Sequence, residues 1–516
     1  MGKIFSRNFV TLFVLILFFT TGLVFSIQAQ DQKGDVTYAS AYSVFYQVGG
    51  DPATHVAGAG PLTATTVFEG LVDMGKNLET LPSVAESWKI APDWTYIDFF
   101  IKKGIKFHNG DSLTAEDVKY SFSKHMDKKY RHVLGVDYRK RIKNVEVISP
   151  YQARFNLNMP APDSWKRFWW DGAIMPMKYR ESVGDKGFAD KPIGSGPFRW
   201  VEYKQDQYYK LEALPEHHRK APEFKTLTIV YVGDPSTRVA MLKAGEVDIA
   251  EVSGEHIPVV KSDPNLTFFQ VKHVIGYALQ FLDQAHPDRK SPFHDIRVRK
   301  AASLAIDREI ICNKLLFGGD SPWGEILNPY NLGYDPSIKP DPYDPEKAKA
   351  LLAEAGYPNG FETELNTRGP SLVIEALAAN LADVGIKAKI KIFEGGAWYT
   401  AHQGKKLTGI KIGSTWYDAE PHPGADIQNA FNTAAPFVYT IDKEPENLID
   451  ESMSATTDAK AAEYGRKLSK MIRDKYMRPP LWSHHANYGL SKKIVKWEPQ
   501  AGSYPGTRFE YMQIKP

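Results

Sequence analysis

Cysteine is almost absent from this sequence, since Cys312 is the only one in 516 residues. An intramolecular disulfide is therefore excluded, and a chain of this length must be held together by hydrophobic cores. A large excess of charge of one sign is also lacking, because 64 lysine and arginine residues are nearly balanced by 61 aspartate and glutamate residues, for a formal net charge of +3. No clustered basic face is indicated, so we expect no nucleic-acid partner.

Motifs for catalysis are missing as well. A hydrolase nucleophile elbow requires Gly-x-Ser-x-Gly, whereas Gly194 and Gly196 flank Ser195 directly, which instead predicts a close backbone approach. The His-Glu-x-x-His helix of metalloproteases and the glycine-rich loops that hold phosphates do not occur. A secreted hydrolase is the alternative from a different functional class, and nothing in the sequence demands it.

No metal site and no cofactor are predicted. Histidines occur as two adjacent pairs, His217-His218 and His484-His485. Neighbouring residues point to opposite sides of a strand, so such a pair rarely supplies two ligands to one metal ion. We expect His217 and His218 to lie at the surface of a charged loop, while His484 and His485 are candidates for lining a cleft.

The sequence contains a single long apolar run, over residues 9–25. It follows Lys3 and Arg7, and small residues that include Ala29 come after it. This order is typical of a secretory signal peptide, here residues 1–29, and predicts export to the periplasm. An uncleaved membrane anchor is the alternative, since the run approaches the length of one span. No cysteine follows that could carry a lipid, which favours a free periplasmic protein.

Capping residues mark where helices begin and end. Asp344 precedes a proline at the first helical position, apolar residues recur with helical spacing after it, and Gly356 ends the pattern. Asp234 begins a second helix in the same way, and Gly245 ends it. These signals predict two helices whose bounds are set by local chemistry.

Strands are predicted close to these helices. Residues 386–392 alternate isoleucine or alanine with lysine, directly after a helix that begins near Ser371, which predicts a half-buried strand. Residues 226–232 and 246–251 predict strands on either side of the helix that begins at Asp234. The order strand, helix, strand predicts a parallel sheet and a mixed α/β class.

Five sequence segments occur in a set order between about residue 36 and the end of the chain. They are residues 67–72 with 81–88, 105–118, 192–198, 296–308 and 343–357. These segments resemble the large bacterial extracytoplasmic solute-binding proteins of family 5, the dipeptide, oligopeptide and nickel class.

The resemblance implies an α/β fold of two lobes, the type II periplasmic binding protein fold, with an extra domain inserted in the first lobe. Lobe I would hold residues 31–72, 192–285 and 484–516. The inserted domain would hold residues 73–191, and lobe II residues 286–483. The ligand would lie between the lobes, which close by a hinge motion.

The resemblance also implies a binding protein without catalytic activity. It would capture a small solute, with a di- or oligopeptide as the first choice, and deliver it to the membrane subunits of an ABC-type permease. We expect it to act as a monomer. Proteins of this architecture also bind nickel chelates, haem, oligosaccharides and opines, and these ligands stay alternatives.

The resemblance further implies where a peptide would bind. In peptide-binding relatives, a segment with tryptophan and aspartate provides a carboxylate for the α-amino group of the peptide. Trp416, Tyr417 and Asp418 resemble that segment, and Asp418 would be the anchor. The following loop departs from the family pattern, because it is longer and contains His422, which leaves the register of Asp418 open. The alternative is that Asp418 caps a loop and Trp416 belongs to the core.

Other candidates for ligand contact are aromatic. Tyr42 and Phe45 follow the first predicted strand, and Trp398 follows a segment that often reaches the cleft in relatives. Tyr277 is placed on a strand near the junction of the lobes. Packing in a core is the alternative for these side chains.

Overall fold

The computed structural model describes residues 32–41, 50–54, 65–75, 78–130, 132, 134–160, 168, 172–393, 395–417, 422–433, 438–499 and 508–515. The strands within these ranges are β1 (Asp35–Ser40), β2 (Val72–Met74), β3 (Thr80–Pro82), β4 (Ala85–Ile90), β5 (Tyr96–Ile101), β6 (Ile142–Ser149), β7 (Gln152–Leu157), β8 (Phe198–Lys204), β9 (Tyr208–Ala213), β10 (Thr226–Tyr231), β11 (Ile249–Glu251), β12 (Leu266–Phe281), β13 (Ser321–Pro322), β14 (Phe361–Thr367), β15 (Ile386–Ile392), β16 (Ile410–Tyr417), β17 (Pro480–Ser491), β18 (Ile494–Lys496) and β19 (Gln513–Ile514). The α-helices are Ala115–Met126, Gly135–Arg141, Met177–Asp190, Pro235–Ala244, Ile257–Ser262, Ile296–Leu304, Arg308–Ile310, Pro345–Glu354, Leu372–Asp383, Gly395–Gln403, Pro423–Phe431, Glu444–Met453 and Asp458–Asp474.

The two capped helices begin where the sequence predicts. The carboxylates of Asp344 and Asp234 accept hydrogen bonds from the backbone N–H groups of Lys347 and Thr237, at 3.0 and 2.7 Å. Gly245 ends the second helix with φ of 75°, a left-handed conformation that favours glycine. The caps satisfy backbone groups that a helix end leaves without partners.

A sheet of eleven strands contains two parallel triplets. Its order is β15, β14, β16, β12, β17, β11, β1, β10, β9 and β8, with β13 paired to β17. In one triplet β14 pairs with β15 and β16, and in the other β1 pairs with β10 and β11. The predicted parallel arrangement is confirmed, although β10 and β11 both pair with β1 and not with each other.

Two long antiparallel strands, β12 and β17, connect the triplets. The start of β12 pairs with the end of β17, where Leu266 lies opposite Ser491. The end of β12 pairs with β16, where Phe281 lies opposite Ile410. The register between β12 and β17 shifts after Val271, so the paired region is interrupted near its middle.

Hydrophobic side chains collect in three large clusters. The first cluster surrounds β1 and contains Tyr38 and Tyr488. The second contains Phe99 and Phe122 and packs the sheet of β4, β5, β7 and β6 against the helix Ala115–Met126. The third cluster packs β14 and β15 against the helices Ile296–Leu304, Pro345–Glu354 and Leu372–Asp383. The residue boundaries given above for the lobes and the inserted domain stay predictions.

The loop around Ser195 approaches the backbone of the 65–71 segment closely, as predicted. A Cβ atom at Gly194 would lie 2.0 Å from the carbonyl oxygen of Val67, and one at Gly196 would lie 2.3 Å from that of Thr66. Only glycine fits at either position without a shift of the backbone.

The expectation that His217 and His218 lie at the surface is wrong. Their side chains are 3% and 14% exposed, and their ring centroids are 4.5 Å apart. Side chains of neighbouring residues diverge in a strand, but these two residues lie in the irregular loop between β9 and β10, where the backbone turns both rings toward Glu69.

Cys312 is a free, buried thiol, and burial raises its pKa. Over the described ranges, which begin at residue 32, no helix combines the length and the apolar character needed to cross a membrane.

Candidate ligand-binding site

The carboxyl ends of the two parallel triplets point toward the middle of β12 and β17. β11 ends at Glu251, opposite Tyr488, whereas β16 ends at Tyr417, opposite Ile275. Ile275 also pairs with His484, so the two strand ends are four residues apart along β17, a rise of roughly 13 Å. Ligands of α/β sheets bind outside the carboxyl ends of parallel strands, so this gap is the candidate site.

A fixed carboxylate marks the edge formed by β1 and β11. Oε1 of Glu251 accepts hydrogen bonds from the hydroxyl groups of Tyr38 and Ser40, at 2.6 and 3.0 Å. The guanidinium of Arg238 donates to the backbone carbonyl of Glu251 at 2.8 Å and holds the strand end. Sequence reasoning missed Glu251, although it is the last residue of the predicted 246–251 strand and so had to lie at a carboxyl edge.

Cationic side chains lie where β14 ends, further back along this triplet than the end of β16. Lys411 is a buried residue of β16 that pairs with Asn366 of β14 and with Gln280 of β12, five residues from Ile275. Arg368 is exposed and comes directly after β14. The ring centroid of Trp398 is 5.9 Å from Cζ of Arg368 and 5.5 Å from Nζ of Lys411. Cations at these distances are attracted by the face of an indole ring.

Burial favours the neutral form of Lys411. Desolvation, followed by the charges of Arg478 and Arg368, holds the pKa of Lys411 well below its usual range. Its amino group contacts Nε2 of His402, whose pKa is lowered to about 3 by burial and by Lys411. His402 is therefore neutral and accepts the hydrogen bond, which fixes the lysine beside Trp398.

Three histidines lie on β12 and β17, the strands that connect the ends of β11 and β16. Nδ1 of His484 is 2.8 Å from Oδ1 of Asp320. Burial lowers the pKa of His484, but the charge and hydrogen bond of Asp320 outweigh it and raise the pKa. Nδ1 of His485 accepts a hydrogen bond from the backbone of His273 at 3.0 Å. Burial lowers the pKa of His273 to about 4, so that ring is neutral.

Of the residues that the sequence predicts for ligand contact, Tyr277 lies in this central region. Its ring is half-buried, 6.1 Å from His484 and 6.0 Å from Trp482. Trp398 is 7% exposed and packs with Leu282, Leu407 and Tyr439 in a small hydrophobic cluster, in keeping with the alternative of core packing. Contact of Tyr277 and of Trp398 with a ligand stays a prediction.

His422 has a structural role that the sequence did not predict. It caps the helix Pro423–Phe431, where its Nδ1 accepts from the backbone N–H of Ala425 at 3.3 Å. Nε2 donates to the carbonyl of Ser452 at 3.0 Å, and the residue is 2% exposed. Ligand contact by His422 stays a prediction, and it would require one of these hydrogen bonds to break.

Tyr42, Phe45 and Asp418 lie outside the described residues, as do the side chains of Trp416 and Tyr417. The backbone of the last two is part of β16, which brings the chain to the gap. The assignment of these five residues to the ligand site stays a prediction.

The sequence of residues 79–435 matches the family of bacterial extracellular solute-binding proteins, family 5, middle region. The chain belongs to this family. It is 30% identical over 407 residues to di/tripeptide-binding protein 2 of Pseudomonas aeruginosa, which covers 72% of this chain and 74% of that protein. It is also 30% identical over 359 residues to haem-binding protein A of Haemophilus influenzae, where 64% of this chain and 65% of the relative, just under two thirds, are covered.

A solved structure supports the fold. The periplasmic binding protein DppA of Helicobacter pylori, in complex with the peptide STSA, superimposes with a TM-score of 0.83. The match covers 94% of this chain and 99% of that chain, at 23% sequence identity. The predicted two-lobe α/β fold is therefore confirmed.

Membership in family 5 assigns the general role. The chain is an extracytoplasmic solute-binding protein of the transport type and not an enzyme, as the sequence predicted. The gap between the carboxyl ends of the two triplets is the candidate place for its ligand.

Proposed function

We propose that this protein is the substrate-binding component of an ABC importer that captures a di- or oligopeptide and delivers it to the membrane subunits of the permease. The observation that carries the proposal is the end of β16 at the gap, because the next residue after Tyr417 is Asp418. The similarity to a di/tripeptide-binding protein supports the same ligand class.

Asp418 is proposed to bind the α-amino group of the peptide through its carboxylate. An aromatic face near the gap, such as that of half-buried Tyr277, would cover peptide side chains without requiring a particular sequence.

The amino anchor is tested by Asp418→Ala, with calorimetric titration of a panel of di- and tripeptides. We expect the loss of a desolvated charge partner to weaken binding by about 2–5 kcal/mol. Asp383→Ala is the matched control, because Asp383 is an exposed aspartate at the end of the helix Leu372–Asp383. An N-acetylated dipeptide should bind wild-type protein as weakly as the free dipeptide binds the Asp418→Ala variant. Equal affinity for free and acetylated peptides would show that Asp418 does not anchor the amino group.

Haem is the second candidate ligand, because haem-binding protein A of Haemophilus influenzae is 30% identical to this chain. Native mass spectrometry of the protein purified from its own host separates the two candidates by the mass that is released. A peptide mass supports the proposal, whereas a haem mass with a Soret absorption band replaces it.

The export route and the oligomeric state are part of the proposal. Lys3, Arg7 and the apolar residues 9–25 support removal of residues 1–29 by a signal peptidase. Mass spectrometry of the mature protein should then give an N-terminus that follows Ala29. Light scattering should give the mass of one chain, and an uncleaved N-terminus would support the membrane anchor instead.

A further inference from the structure

Away from the gap, three side chains with metal-binding atoms converge on one point. Oε2 of Glu69 lies 2.8 Å from Nε2 of His218 and 3.6 Å from Nε2 of His217, and the donor atoms of the three residues lie within 4.8 Å of one another. A tetrahedral Zn²⁺ ion with bonds of about 2.0–2.2 Å places neighbouring ligand atoms roughly 3.4 Å apart. Small shifts of the two rings would therefore bring all three atoms to bonding distance.

The convergence lies at a junction between parts of the fold. Glu69 is fully buried, two residues after Val67 of the first cluster and two before Leu71 of the second. The hydroxyl of Ser195 donates to Oε2 of Glu69 at 2.9 Å. Three separate segments of chain thus meet at one carboxylate, namely the 65–71 segment, the loop around Ser195 and the loop between β9 and β10.

The buried charged groups nearby carry a net negative charge that a cation could balance. Arg219 lies 3.0 Å from Asp73 and 3.2 Å from Glu510, and Arg508 lies 2.7 Å from Asp73. With Glu69, the described residues of this network carry three carboxylates and two guanidinium groups, and 2 − 3 gives a net charge of −1.

Glu69 also has acceptor capacity to spare. Its Oε1 accepts no hydrogen bond, and the nearest cationic atom recorded for it is Nε of Arg219 at 4.0 Å. A buried acceptor without a hydrogen bond is costly unless something else satisfies it. A cation held by the carboxylate would meet this requirement and the negative net charge together.

We propose that Glu69, His217 and His218 bind one divalent transition-metal ion, with Zn²⁺ as the first choice, as a structural site that joins the first and second hydrophobic clusters. Two imidazoles and one carboxylate are typical zinc ligands. The partial exposure of His218, 14%, leaves a side from which water can complete the coordination.

Metal binding exchanges hydrogen bonds for metal bonds. Nε2 of His217 gives up its 2.9 Å hydrogen bond to the carbonyl of Ser195, and Nε2 of His218 gives up its hydrogen bond to Glu69. In each ring the proton then sits on Nδ1, so that the neutral imidazole binds the metal through Nε2. For His217 this also breaks the 3.2 Å hydrogen bond that its Nδ1 accepts from the backbone N–H of Arg219.

The test uses the full mature protein, dialysed against a chelator and titrated with Zn²⁺ by calorimetry. We expect one ion per chain and a rise in Tm on addition of Zn²⁺, because a ligand that binds only the folded state stabilises it. Co²⁺ in place of Zn²⁺ should give the visible absorption of a tetrahedral nitrogen and oxygen site, a measurement that requires no variant.

Three variants decide whether these residues are the ligands. His217→Gln and His218→Gln remove the imidazole but keep an amide that can donate, to the carbonyl of Ser195 and to Glu69 respectively, and each should weaken Zn²⁺ binding by more than about tenfold. His256→Gln is the matched control, because His256 also lies near a glutamate, 3.4 Å from Glu255, but belongs to no group of three metal-binding side chains among the described residues. It should leave the titration unchanged.

Two results would overturn the proposal. One is the absence of a one-to-one Zn²⁺ titration in folded wild-type protein. The other is an equal loss of Tm in His217→Gln with and without Zn²⁺, which would make the cluster a hydrogen-bonded contact only. Peptide binding measured on the same samples reports on the gap separately, so failure of the metal site and failure of the peptide proposal are distinguishable.

Discussion

Arg180 is a fully buried arginine whose charge is balanced inside the protein. Its two terminal nitrogens donate to the two oxygens of Asp51 at 2.7 and 2.6 Å, and the side chains are 1% and 2% exposed. The guanidinium also lies 4.9 Å from the ring centroid of Phe188. Removal of Asp51 would leave the guanidinium with one partly exposed carboxylate, Asp185, 3.2 Å from one of its nitrogens, and without its buried partner.

We therefore expect Asp51→Ala to lower the free energy of unfolding by about 3–5 kcal/mol. The double variant Asp51→Leu with Arg180→Met removes both charges and should lose much less, because apolar groups of similar size replace a buried ion pair at little cost. Urea denaturation of the mature protein, followed by circular dichroism, measures both. Equal losses in the single and the double variant would mean that packing, and not the unpaired charge, dominates at this position.

At the scale of elements, β12 and β17 connect the two parallel triplets. The ladder between them is interrupted after Val271, and His273 adopts φ of 56° there. A non-glycine residue in this conformation is uncommon and marks local strain that the surroundings must hold. The hydrogen bonds from His273 to His485 and from His484 to Asp320 supply that support.

The ion pair of His484 and Asp320 makes this region sensitive to pH. The folded-state pKa of His484 is raised above the ordinary value, so its contribution to stability is fully present below about pH 6.5 and is lost as pH rises through the raised pKa. We expect the difference in unfolding free energy between wild type and Asp320→Asn to be largest near pH 5.5 and to shrink toward pH 8.5. Denaturant unfolding over this range measures it. A constant difference across the range would rule out a charged His484 in the folded protein.

The sequence predicted well those helices and strands that depend on residues close together in the chain. Asp344 caps its helix through a residue three positions away, and the alternation over 386–392 needs only its own side chains. The pairing of Leu266 with Ser491 depends on residues more than two hundred positions apart, and no local pattern indicates it. The meeting of His217 with Glu69 has the same origin, which is why these histidines were expected at the surface.

The candidate site divides in the same way. The motif around Trp416 predicts ligand contact at the end of β16, because a family pattern carried that information, and this assignment stays a prediction. Glu251 was missed, since its relevance comes from the position of β11 in the sheet and not from the residues beside it. The rule that ligands bind outside the carboxyl ends of parallel strands can be applied only after the strand order is known.

At the scale of the whole molecule, an ion pair connects two helices away from β12 and β17. Nζ of Lys140, in the helix Gly135–Arg141, lies 2.6 Å from Oδ1 of Asp450, in the helix Glu444–Met453. The ring of Tyr330 packs against the second hydrophobic cluster. Three residues earlier, Leu327 belongs to a smaller hydrophobic cluster that also contains Ile449. If the lobes close by bending at β12 and β17, contacts remote from that hinge report how closed the molecule is.

Lys140→Glu tests this bridge, because it places two carboxylates where an ion pair lay. Both partners are about two fifths exposed, at 41% and 45%, so the pair contributes little and the expected loss of peptide affinity is at most about fivefold. The loss should vanish near 1 M salt, where charges are screened beyond about 3 Å, and Lys140→Glu with Asp450→Lys should restore wild-type binding. Small-angle scattering of the ligand-free protein should show a larger radius of gyration for Lys140→Glu alone. If affinity and radius are unchanged at low salt, the bridge does not contribute to closure, and the hinge strands alone set the separation of the lobes.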